Sequence, residues 1–90
     1  MAMTHDAQPA PKALLLEAVE RALDGNWQAA HRIVQDHDED EVAAWIHAVV
    51  HRIEGDIGNA RYWYHRCGRE LRESVSPDAE LREIKAALLG

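Results

Sequence analysis

Ninety residues with a formal net charge of −6 make one domain, near the lower limit of what a single core stabilises. The acidic balance argues against nucleic acid as a partner, because phosphate binding needs a positive face, and no apolar run approaches the roughly 20 residues of a membrane span. A lone cysteine, Cys67, excludes an internal disulfide. With no apolar signal core in Met1–Lys12, it leads us to expect a cytoplasmic protein.

Residues 1–10 read as a flexible tail, and 11–90 as a single all-α domain. The first helix is expected over 11–24, with Leu15, Leu16, Val19, Ala22 and Leu23 on one side and Gly25 as its left-handed stop. Asn26 can cap a second helix running to 37, which presents Trp27, Ala30, Ile33 and Val34. Asp38 or Asp40 caps the third helix, placed at 39–54. Its wide stripe of Val42, Trp45, Ile46, Val49, Val50 and Ile53 marks it as the most buried. Gly55 stops it and Asp56 caps the fourth helix, placed at 57–73, with Ala60, Tyr64, Cys67 and Leu71 on one face. Ser76-Pro77 is a cap followed by a first-turn proline, opening a fifth helix over 77–89 with Leu81, Ile84 and Leu88 inward.

An internal repeat organises these elements. The stretch from Leu23 to Ala30 aligns with that from Ile53 to Ala60 at an offset of 30 residues, and Leu16, Ala18 and Val19 meet Ile46, Ala48 and Val49. A repeat of this length implies helix pairs that bury their apolar faces only by stacking. The expected architecture is therefore two stacked antiparallel helical hairpins and a C-terminal capping helix.

Gly55, Ile57, Ala60, Tyr64 and Cys67 resemble the second helix of the tetratricopeptide repeat, and Gly25, Trp27, Ala30 and Val34 resemble it in part. The first-helix half departs from that pattern: His47 and His51 stand where the family usually has Leu and Tyr. The resemblance implies a stacking and partner-binding role without catalytic residues. The stretch from Ala44 to Tyr64 also resembles a string found in small microbial proteins without an assigned activity, approximately His-Ala-x-x-His-Arg-x-Glu-Gly-Asp-x-x-Asn-Ala-x-Tyr-Trp.

The chemistry-bearing residues fall between His47 and Arg66. His47 and His51 are four apart, so they share a side of the third helix, and Glu54 follows three later. That spacing lets two imidazoles share a metal with the carboxylate as third ligand. The alternatives are half-buried histidines each bonded to a tyrosine or carboxylate across the hairpin, with His51 on the Tyr64 side, or a general acid/base pair. Arg52 or Arg61 can pair with Glu54 and Asp56 to lock the turn, and Asn59 can serve as a cap partner for Asp56 or orient a ligand. Tyr62 is expected at the surface beside Arg66, as in an interface hot spot. Arg61, His65, Arg69 and Arg72 form a basic stripe on the fourth helix, either solvated or facing an acidic partner.

Cys67 is expected to be buried and inert, and no nucleophile pair or phosphate loop is present. The leading expectation is a non-enzymatic module that binds a protein or a second copy of itself, as a homodimer, through His47, His51, Arg52, Glu54, Asn59, Arg61, Tyr62, His65 and Arg66. No cofactor is called for. The alternative is a site for a small ligand or a divalent metal such as zinc at His47, His51 and Glu54.

Overall fold

A computed structural model describes residues 10–90, and within them the chain is all-α. Five helices follow one another: α1 (Lys12–Leu23), α2 (Trp27–Val34), α3 (Glu41–Glu54), α4 (Ile57–Arg66) and α5 (Pro77–Leu89). The expected tail lies outside the described residues except for Ala10. That residue is buried, and its N–H donates to Asp40 Oδ2 at 2.9 Å.

Caps set the boundaries. Asn26, Asp40, Asp56 and Ser76 each accept a hydrogen bond from a first-turn N–H. Asp40 accepts two, from Val42 and Ala43, both at 2.9 Å, so α3 begins at Glu41 rather than at residue 39. Capping of this kind contributes about 1 kcal/mol per helix. Helix α2 ends at Val34 instead of 37, because the His37 N–H turns back to the Val34 carbonyl at 2.9 Å.

The largest departure is at the end of α4, expected at 73 and found at Arg66. Gly68 adopts a left-handed conformation, φ +75°. The Arg69 N–H then donates to Tyr64 O at 2.8 Å and the Gly68 N–H to His65 O at 3.1 Å, the paired bonds of a Schellman stop. Leu71 still packs on the core, but from the segment beyond the helix.

Helix α3 is the hub. It packs against all four other helices, while α1 pairs with α2 and α5 lies on α1 and α3. Every residue from Ala43 to His51 is buried. Fully covering a side chain such as Ile46 or Val49 contributes roughly 1.5–3 kcal/mol, so this stretch dominates the core.

A second buried element is polar. Glu80, in the first turns of α5, is 1% exposed. Its carboxylate accepts from Trp45 Nε1 at 2.7 Å, Tyr64 Oη at 2.6 Å and Arg52 at 2.9 Å. Arg52 also donates to the Val75 carbonyl at 2.8 Å. These bonds tie α5 to α3 and α4. They also correct the expected pairing of Arg52 with Glu54 or Asp56: the guanidinium turns to the deeper carboxylate, where low dielectric strengthens the bond. Burial and the Glu80 carboxylate together hold the Tyr64 hydroxyl above its ordinary pKa.

Candidate metal centre

The histidine pair lies on the opposite side of α3 from Trp45 and Arg52. His47 and His51 are 5% and 8% exposed, with rings nearly parallel and centroids 4.9 Å apart, one helical turn from each other. They face α2, which contributes a third imidazole. His31 meets His47 edge-on at 4.7 Å between centroids and His51 at 5.6 Å. One potential ligand atom from each of the three rings lies within 4.8 Å of the other two.

The surroundings hold these rings in place. Trp63 stacks on His47 at 3.9 Å with an interplanar angle of 12°, fixing the plane of that ring from α4. Glu54 Oε1 lies 2.9 Å from His51 Nδ1. A carboxylate on Nδ1 leaves Nε2 as the ligand nitrogen and raises its basicity, the usual partner arrangement behind a metal-bound histidine. Glu54, expected as a third ligand, hydrogen-bonds His51 and groups with His51 and Asp56, while His31 groups with His47 and His51.

His47 is the anomaly of the cluster. Its Nδ1 is buried and has no hydrogen-bond partner among the described residues. A buried polar atom without a partner costs about 1–3 kcal/mol, so natural cores keep few of them. Burial first, then the neighbouring His31, His51 and Arg66, push the pKa of His47 down to about 3. The ring is therefore neutral at physiological pH, as a metal ligand must be.

The other expected site residues go elsewhere. His51 stands beside His31 and His47, away from the Tyr64 hydroxyl, which is committed to Glu80. Asp56 is bonded by the Asn59 side chain at 2.9 Å, so Asn59 is a cap partner and holds the Asp56 carboxyl below its ordinary pKa. Arg61 approaches Glu73 at 3.7 Å, not Glu54 or Asp56. His65 is exposed and borders a surface cleft with Arg61, Tyr64 and Arg69.

The expected stripe of Arg61, His65, Arg69 and Arg72 is broken where α4 stops. Arg69 lies 3.6 Å over the Trp45 ring and Arg72 pairs with Glu83 at 2.8 Å. Tyr62 is 53% exposed and accepts from Arg66 at 3.2 Å, as expected, while Arg66 also sits 5.1 Å over Trp63. Cys67 is buried, and burial pushes its thiol pKa up.

His31 is the residue that sequence reasoning missed. It sits four residues after Trp27 and one after Ala30, on the flank of the α2 face that meets α3. That position was readable once α2 and α3 were taken as neighbours.

Comparison of the chain with protein-family models, with curated proteins and with solved structures found no match.

Proposed function

We propose that this protein binds a divalent transition metal of the zinc class through His31, His47 and His51, with Glu54 positioning His51. The observation that carries the reading is the unpartnered, buried Nδ1 of His47 beside two further imidazoles. Coordination would compensate the unmet polar atom and join α2 to α3. Three imidazole nitrogens suit zinc, copper, cobalt or nickel and do not suit magnesium or calcium, which require oxygen ligands. Metal analysis of the purified protein after loading and desalting tests the proposal. One zinc per chain is expected, falling to none in His47→Ala and His31→Ala. Zinc retained at the same stoichiometry in both variants contradicts it.

A second reading treats the protein as a helical-repeat interaction module of tetratricopeptide type, acting on a protein or on a second copy in the cytoplasm. The exposed Tyr62 ring, held by Arg66 and set edge-on to Trp63 at 5.3 Å, supports that surface as the contact. The repeat at 30-residue offset supports the architecture. Sedimentation analysis of the protein and of Tyr62→Ala tests self-association: a dimer lost in the variant supports it, and a monomer at all concentrations excludes a homodimer.

A further inference from the structure

We infer that the three-histidine centre leaves one coordination position open to a small monodentate anion from solution; the inference rests on the metal reading above. Three observations lead to it. Among the described residues the convergent ligand set at this point is His31, His47 and His51, three side chains from two helices, whereas a closed structural zinc site uses four. Glu54 is hydrogen-bonded to His51 Nδ1 at 2.9 Å, on the ring nitrogen away from Nε2.

The third observation is the asymmetry of burial around the rings. His47 is enclosed and backed by Trp63, while His31 is partly open to solvent. A ligand from solution therefore has an approach along α2, and the opposite side is blocked by a stacked indole.

The chemistry of the ligands selects what binds there. An imidazole ligand brings no charge, so an ion bound there would keep its full double charge, where a thiolate or carboxylate ligand would reduce it. Such an ion would attract hydroxide, carboxylates and similar anions from solution, and would lower the pKa of a bound water to near 7.

Cobalt(II) provides the probe, because its visible absorption reports coordination number and ligand type. The cobalt-loaded full chain is titrated with sodium azide. A saturable shift and change in intensity of the visible bands is expected, reversed by dialysis. The variant Glu54→Gln is expected to bind cobalt more weakly but to respond to azide in the same way. Cobalt bands that stay unchanged as azide is added would overturn the open position while leaving the metal site standing. A response confined to Glu54→Gln would also overturn it, by showing that Glu54 fills the fourth position. Failure of the wild-type chain to bind cobalt or zinc at all would remove both this inference and the reading it rests on.

Discussion

Helix α3 carries two buried polar clusters on opposite sides, and they differ in one respect. Toward α5, Trp45 and Arg52 meet Glu80, and both carboxylate oxygens are engaged at 2.6–2.9 Å. Toward α2, His47 and His51 meet His31, and one buried ring nitrogen has no partner. The first cluster is complete within the chain and its role is to hold α5 in place. The second leaves one ring nitrogen unmet among the described residues, and a bound metal would meet it. Satisfaction of hydrogen bonds thus separates a polar cluster that serves the fold from the one proposed to take a ligand.

The most severe way to break this comparison is to remove the satisfied carboxylate. Glu80→Ala strands the Arg52 cation and the Tyr64 and Trp45 donors, and should cost about 3–5 kcal/mol, read by urea denaturation. Metal loading sharpens the other side. At free zinc about 100-fold above Kd the wild-type chain should gain about 2.7 kcal/mol, and His51→Ala should gain nothing. Glu54→Gln should weaken zinc binding by roughly 10–100-fold, through loss of the carboxylate behind His51, without much change in apo stability.

The most diagnostic substitution is smaller in energy. His47→Phe keeps an aromatic ring on Trp63 and removes the unpartnered nitrogen. The metal-free protein should be unchanged or more stable by up to about 1 kcal/mol, while zinc binding is lost. A residue whose removal stabilises the fold and abolishes binding is there for the ligand.

The pH dependence has a defined sign. His47 is held at about 3 in the folded state against 6.5 ordinarily, so the unfolded chain binds the proton first as pH falls. Its contribution to stability is complete above pH 6.5 and declines toward pH 3, by up to about 1.4 kcal/mol per pH unit. In chelator-treated protein, His47→Phe should flatten that part of the profile.

The repeat supplies an internal control of the smallest effect. Glu17 and Arg21 of α1 stand where α3 has His47 and His51, and they form an i,i+4 pair at 3.1 Å with both side chains about half exposed. Removing it by Glu17→Ala should change stability by no more than about 0.5 kcal/mol. Identical helical spacing therefore carries different weight, because Glu17 and Arg21 lie about half exposed while His47 and His51 are buried.

Much of this was legible in the residues. The five helices, the burial of α3 and the pairing of His47 with His51 follow from caps and from 3.6-residue periodicity, which are local. The end of α4 was also locally encoded, in Gly68, but the continued apolar spacing to Leu71 masked it. What the sequence hid were contacts between elements distant in the chain. His31 joins across α2 and α3, and Glu80 reaches back to Trp45 and Arg52. Spacing puts His31 on the right flank of α2 but does not show which helix it meets, and it does not reach Glu80 at all, because both contacts depend on how helices cross. Arg52 was assigned to a near carboxylate for the same reason: sequence proximity favoured Glu54, while burial favoured Glu80.

The most direct test is a zinc titration followed by NMR of the imidazole nitrogens. The account predicts that one equivalent shifts the ring-nitrogen resonances of His31, His47 and His51, with Nε2 as the coordinating atom of His51, while His37 and His65 stay unchanged. Shifts confined to His37 or His65, or none at one equivalent, would contradict the claim that these three residues form a metal centre.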